Sequence, residues 1–199
     1  MRLLWIRHGQ TEENRLKQYI GYTNVSLNKV GMEQAKSLIQ RLKKVQVDRI
    51  YSSDLLRCME TIEGFAKQRN LSVIPDSNLR EMNFGQWEGK TYEEIMAVDP
   101  EKGTVWYNDP FSVCPPNGET LLELGNRVDQ LIMNIIAESK RGETVALISH
   151  GGPIRWFQGK WIEKNPFLFW ENRPPGHGEA LLYRLVSGGG VLEEIPDME

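Results

Sequence analysis

The chain is short of the residues that staple many small proteins. It has two cysteines, Cys58 and Cys114, in 199 residues. Their contexts match no metal or redox spacing, so a disulfide scaffold is excluded and a reducing, cytoplasmic compartment is expected. No apolar run approaches the ~18 residues that suggest a membrane span, so no membrane association is expected. Residues 1–6 are too short for a secretory signal and run directly into Arg7-His8-Gly9. A basic excess is missing too: 24 Lys and Arg stand against 27 Asp and Glu, a formal net charge of −3. That argues against a nucleic-acid partner. The sequence shows no internal repeat, low-complexity tract or domain linker. A hydrophobic content of 40% over this length is enough for one core that needs neither disulfide nor metal.

Hydrophobic patterning supplies the elements. Residues 3–6 are apolar throughout and bounded by polar residues, which predicts a short buried strand. Residues 11–17 suit a short polar helix. From Asn28 to position 45, Ala35, Leu38, Ile39 and Leu42 recur at helical spacing, with Asn28 as N-cap. Residues 49–51 make a second strand. Ser53 or Asp54 is expected to cap a helix carrying Leu55, Leu56, Met59, Ile62 and Phe65. Residues 71–74 form a third strand, stopped by Pro75. The stretch 76–116 is less regular, with one helix at 92–97 and then Pro100, Pro110, Pro115 and Pro116. Loops this long inside a compact domain are often functional. A lid or insertion at about 76–118, within one domain spanning 1–199, is the expectation.

Residues 119–138 form an amphipathic helix with Leu121, Leu124, Val128, Leu131, Ile132 and Ile135 on one face. Residues 144–148 are a buried strand, and 153–161 a helix with Pro153 in its first turn. Residues 180–186 and 191–195 read as a hairpin around Gly188-Gly189-Gly190. Alternating strands and helices followed by a hairpin predict an α/β fold, a three-layer sandwich with a mainly parallel central sheet and helices on both faces. Trp5, Phe65, Leu131 and Ile148 are expected in the core, with Cys58 packed among them.

In such sheets ligands bind where strands end and helices begin. Three strands here end in polar groups: Arg7-His8-Gly9, then Ser52-Ser53-Asp54 with Arg57 one turn on, then Ser149-His150-Gly151-Gly152. Two of the three histidines occupy such ends, each followed by a glycine that permits close backbone approach. Two guanidiniums and two imidazoles near helix N-termini make an anion site. The planar fork of arginine matches phosphate oxygens two at a time. A zinc site of two histidines and Glu81 is the competing arrangement. Arg7 argues against it, because a cation site does not recruit a guanidinium; no metal or other cofactor is expected.

The blocks then show a resemblance. Residues 7–14, Arg-His-Gly-Gln-Thr-Glu-Glu-Asn, resemble the signature of the histidine phosphatase superfamily, the phosphoglycerate mutase-like proteins. Residues 27–35, 52–61, 79–89 and 149–152 resemble its further motifs, in the family's order across nearly the whole chain. The resemblance implies a phosphoglycerate mutase-like fold and a metal-independent phosphomonoesterase. In that reading a neutral His8 attacks phosphorus and forms a phosphohistidine, its other ring nitrogen donating to a backbone carbonyl. Arg7, Arg57 and His150 hold the phosphoryl oxygens, and Asn14 is a further donor. Glu81 protonates the leaving oxygen and then takes a proton from water. Ser53 is expected as a cap, Glu12, Glu13 and Glu88 as solvated or local partners, and His177 as a loop residue.

Departures narrow the branch. Mutases usually carry Ser and Trp where this chain has Thr11 and Glu13, and Arg-His-Tyr-Gly where it has Met82-Asn83-Phe84-Gly85. Compact phosphohistidine phosphatases lack most of residues 92–118. Residues 106–110 and 115–120 are similar to the α-ribazole phosphatases of cobalamin synthesis. The expected partner is a small-molecule phosphate ester, with α-ribazole 5′-phosphate leading. A broad-specificity phosphatase and a mutase-type phosphotransferase are the alternatives. Gly151, Trp106 and Tyr107 are candidate substrate contacts, the two aromatics by stacking. A homodimer is left open.

Overall fold

The computed structural model of the chain describes residues 1–186, 189–193 and 195. Strands β1 (Arg2–Arg7), β2 (Arg49–Ser52), β3 (Val73–Pro75), β4 (Thr144–Ser149), β5 (Ala180–Val186) and β6 (Gly189–Glu193) form one sheet. Their order is β3-β2-β4-β1-β5-β6. The first four pair in parallel, β5 joins β1 antiparallel, and β6 completes the expected hairpin. Of that hairpin, Ser187, Gly188 and Glu194 lie outside the described residues.

The central strands are apolar throughout because both faces are covered. The helices in chain order are α1 (Glu12–Arg15), α2 (Lys29–Arg41), α3 (Leu56–Arg69), α4 (Tyr92–Val98), α5 (Pro100–Asn108), α6 (Leu121–Glu138) and α7 (Gly151–Phe157). Leu3, Trp5, Val145 and Leu147 face one core, shared with α6 and α7. Leu4, Ile6, Ala146 and Ile148 face the other, with Leu38, Leu42, Ile62 and Phe65 on the opposite layer. Alternation along two strands thus makes three layers. Trp5, Phe65, Leu131, Ile148 and Cys58 are all in these cores. Asn28 caps the helix Lys29–Arg41 through Gly31 N at 2.9 Å. Thr120 and Glu123 form a capping box for α6. No helix among the described residues is long and apolar enough to cross a membrane.

Four details differ from the pattern reading. Pro100 was expected to interrupt structure but opens a second helix of this stretch, Pro100–Asn108, at a first-turn position where its missing N–H costs nothing. Pro75 lies inside β3, which tolerates it as the edge strand. Neither Ser53 nor Asp54 is the N-cap of the helix Leu56–Arg69; Leu55 holds that position and bonds no backbone N–H with its side chain. Asp54 instead accepts from Arg80, Nε to Oδ1 at 2.6 Å and Nη2 to Oδ2 at 2.5 Å. Finally, α7 starts at Gly151, two residues earlier than its apolar pattern, and continues into a π turn at Gln158–Ile162.

Candidate active site

The sheet sets the first two groups. Arg7 pairs with Ser149 in the β1–β4 register, so His8 and His150 leave the same sheet edge side by side. Their ring centroids are 4.9 Å apart, about one interstrand spacing. The His8 backbone N–H donates to Ser149 O at 3.0 Å. Gly9 then packs against the start of the second helix; a Cβ on it would lie 2.6 Å from Gly31 O.

His8 is buried, and its Nδ1 lies 2.7 Å from Gly9 O. A carbonyl only accepts, so Nδ1 carries the proton and Nε2 the lone pair. Burial, with Arg57, His177 and Arg7 adding to it, holds the His8 pKa well below the ordinary 6.5. The imidazole is neutral, and its Nε2 has no partner among the described residues.

Arg57 is almost fully buried by the helix that begins at Leu56. Its Nη2 donates to Gly21 O at 2.7 Å, its Nη1 to Thr23 O at 2.9 Å and its Nε to His150 Nδ1 at 3.3 Å. His150 Nε2 therefore carries the proton; Ser53 Oγ is 3.0 Å away and Cys58 Sγ 3.4 Å. Burial foremost, then Arg57 and His8, keep this second imidazole neutral. The same burial pushes the Cys58 thiol up to about 12, which leaves it inert. Arg7 reaches Pro175 O at 3.2 Å, while its buried Nε has no partner. Neither Arg7 nor Arg57 makes an ion pair among the described residues. Two guanidiniums without a carboxylate partner, Arg57 buried and Arg7 partly buried, create a demand for an anion.

Glu81 faces this cradle across the N-terminus of α7. Its carboxylate accepts from Gly152 N at 3.1 Å and from its own neighbour Met82 N at 2.9 Å. Arg127 of α6 fixes the loop behind it, donating to Asn78 O, Arg80 O and Glu81 O at 2.7–2.9 Å. Glu119 pairs with Arg127 and accepts from Asn83 N. Arg7, Glu81, Gly151 and Gly152 line a cavity of about 190 Å³. Its outer wall is aromatic: Tyr19, Phe84, Trp106, Phe169 and Trp170. Larger grooves, near Met1 and near Gln46, bring no such set together.

The structure thus converges Arg7, His8, Arg57, His150 and, across the cavity, Glu81. Trp106 and Gly151 line that cavity; Tyr107 does not, but its hydroxyl meets that of Tyr19 on the wall. Asn14 shares a capping box with Thr11, its Oδ1 accepting from Thr11 N at 3.1 Å. Four residues matter more than their sequence context suggested. Glu88 accepts backbone N–H bonds from Gly21, Tyr22, Thr23 and Phe84. Ser53 meets His150 rather than heading a helix. His177 lies against His8, with ring centroids 5.1 Å apart. Arg155 lines the cavity with its Nε buried and unpartnered. For Arg155 a signal existed, since position i+4 from Gly151 on a helix shares its face; for the other three, only the folded loops reveal it.

The family model for the histidine phosphatase superfamily (branch 1) matches residues 3–195. The chain belongs to this superfamily. Among its relatives, phosphoserine phosphatase 1 of Hydrogenobacter thermophilus is 34% identical over 155 residues, 78% of this chain and 73% of that one. The adenosylcobalamin/α-ribazole phosphatase of Escherichia coli K12 is 31% identical over 173 residues, 87% of this chain and 85% of the relative. The crystal structure of the α-ribazole phosphatase from Shigella flexneri superposes with a TM-score of 0.89 at 29% identity, covering 98% of this chain and 96% of that one. This histidine phosphatase is accordingly a phosphoric monoester hydrolase with the phosphoglycerate mutase-like fold.

Proposed function

We propose that this histidine phosphatase cleaves small phosphate monoesters through a phosphohistidine on His8, without a metal ion. The His8 ring carries the reading: Nδ1 is committed to Gly9 O, the ring is neutral, and Nε2 stands free beside two unpaired guanidiniums. Nε2 attacks phosphorus, an N–P bond forms, and the ester P–O bond breaks. Glu81, in its protonated form, gives its proton to the departing oxygen. Water then attacks the phosphohistidine and passes a proton to Glu81, which releases phosphate and restores His8. Arg7 and Arg57 stabilise the equatorial oxygens, the part a metal ion plays elsewhere. His150 orients Arg57 by accepting from its Nε, and its Nε2–H, which lies 3.0 Å from Ser53 Oγ, is assigned to turn to a phosphoryl oxygen. The Asn14 amide nitrogen, with no partner among the described residues, is a further donor.

The chain acts as a single domain in which residues 76–118 form a lid. Trp106, Tyr107 and Gly151 are assigned to the leaving-group side. An aromatic wall suits a flat leaving group, and two of the relatives above are named for α-ribazole. α-Ribazole 5′-phosphate is therefore the leading substrate, with a broad-specificity phosphatase as the alternative. Acid quench during turnover of a 32P-labelled ester should trap label on His8, and a chelator should leave the rate unchanged. Activity that survives His8→Ala, or that a chelator abolishes, sinks the mechanism. Comparing α-ribazole 5′-phosphate with phosphoserine, 3-phosphoglycerate, sugar phosphates and nucleotides tests the substrate; a flat profile selects the alternative. Isomerisation of 3-phosphoglycerate outpacing phosphate release would mark a mutase instead.

A further inference from the structure

The third histidine has no part in the chemistry above, yet it touches the nucleophile. His177 sits in the segment Pro174-Pro175-Gly176-His177-Gly178, between the last helical turn and β5. This segment grips the end of β1 at several points. Pro175 O accepts from Arg7 Nη1, Gly178 N donates to Arg7 O and His8 O, and Glu179 O accepts from Arg7 N. His177 adds a bond from its own side chain: its Nδ1 lies 3.1 Å from His8 O. The acceptor is a carbonyl, so Nδ1 is the donor. On the far side of the same peptide unit, Gly9 N donates to Thr61 Oγ1 at 2.9 Å.

The peptide between His8 and Gly9 is therefore held at both ends, its oxygen by His177 and Gly178 and its N–H by Thr61. The next carbonyl, Gly9 O, is the acceptor that fixes the His8 ring. Tilting the 8–9 peptide moves Gly9 O, and with it the direction of the His8 Nε2 lone pair. Displacements near 1 Å at a reacting atom cost roughly 10²-fold in rate. Resting on the phosphohistidine reading, we infer that His177 is a positioning residue for His8, acting through its Nδ1–H bond to the His8 carbonyl.

The bond has a direct chemical test. Asparagine places an amide N–H where imidazole carries Nδ1–H, whereas glutamine places one nearer the position of Nε2. The experiment measures single-turnover formation of phospho-His8 from p-nitrophenyl phosphate, and binding of inorganic phosphate, for the wild type, His177→Ala, His177→Asn and His177→Gln. His177→Ala is expected to slow phosphorylation at least tenfold while changing the phosphate Kd less than threefold. His177→Asn is expected to recover to within threefold of wild type, and His177→Gln to remain slow. Alanine within threefold of wild type overturns the inference. So does rescue by glutamine but not asparagine, or a phosphate Kd that weakens in step with the rate, both of which make His177 a direct ligand. If the alanine variant does not fold, the asparagine–glutamine contrast carries the same decision. A wild-type enzyme that hydrolyses esters without labelling His8 removes the phosphohistidine reading and this inference together. Labelling in wild type with no asparagine–glutamine contrast removes the inference alone.

Discussion

Replacing Glu88 should damage the active site from a distance. Its carboxylate bonds the N–H groups of Gly21, Tyr22 and Phe84 through Oε1 at 3.0, 2.8 and 3.3 Å, and that of Thr23 through Oε2 at 3.0 Å. The carbonyls of Gly21 and Thr23 in turn hold the Arg57 guanidinium. Glu88→Ala removes three part-buried bonds and one exposed one. Counting about 1 kcal/mol for each part-buried bond and nothing for the exposed one gives about 3 kcal/mol of lost stability. Water can re-solvate the freed groups only by opening residues 19–23, which releases Arg57 from both carbonyls. A rate loss of roughly 10²-fold should follow. Glu88→Gln keeps the Oε1 acceptor and loses one exposed bond, so it should cost about 1 kcal/mol or less and leave most of the activity. Urea unfolding and kcat/KM on p-nitrophenyl phosphate read the two effects. The reasoning is refuted if alanine loses the stability but keeps kcat/KM within threefold, or if glutamine is as damaging as alanine.

Three further outcomes can be checked. Glu81→Gln should slow single-turnover phosphorylation of His8 by roughly 10²–10⁴ with an alkyl ester but much less with p-nitrophenyl phosphate, whose leaving group needs no proton; equal losses on both would remove Glu81 as the acid. The neighbouring glycines should differ: a Cβ on Gly152 would sit 2.1 Å from Glu81 Oε1 and displace that carboxylate, whereas on Gly151 the nearest atoms are 3.7 Å away. Gly152→Ala should therefore lose most activity and Gly151→Ala little, with kcat the quantity compared. All three histidines have pKa values depressed from 6.5 by burial, His177 to about 4. The unfolded chain binds those protons first, so their stabilisation is complete above pH 6.5 and is lost as pH falls towards the folded values. Each contributes up to about 1.4 kcal/mol per pH unit, so urea midpoints should drop between pH 7 and pH 5; a flat profile contradicts neutral burial.

The polar groups at three strand ends were readable because period and composition mark where buried strands stop, and Arg7, His8, Arg57 and His150 follow from that placement. Glu81 came from its motif, since no periodic signal marks a loop carboxylate. The supporting residues were hidden for a common reason. Glu88, Ser53 and His177 reach the site through bonds to backbone or side chains 65 to 169 positions away, as between Glu88 and Thr23, Ser53 and His150 or His177 and His8, and loop closure over such distances leaves no local pattern. The missed helix Pro100–Asn108 is different: its proline carried a genuine signal, read as a stop when it was a start.

The pairing of Arg7 with Ser149 has an evolutionary consequence. Because neighbouring rungs of one ladder set the gap between the two imidazoles, the spacing of these rings belongs to the floor of the molecule; on the reading proposed above, the choice of ester belongs to the segments over the cavity. On that reading, exchanging residues 90–118 for another covering would alter which compound enters while the imidazole pair stays in place. Such a division lets a lineage acquire new metabolites by remodelling its roof alone.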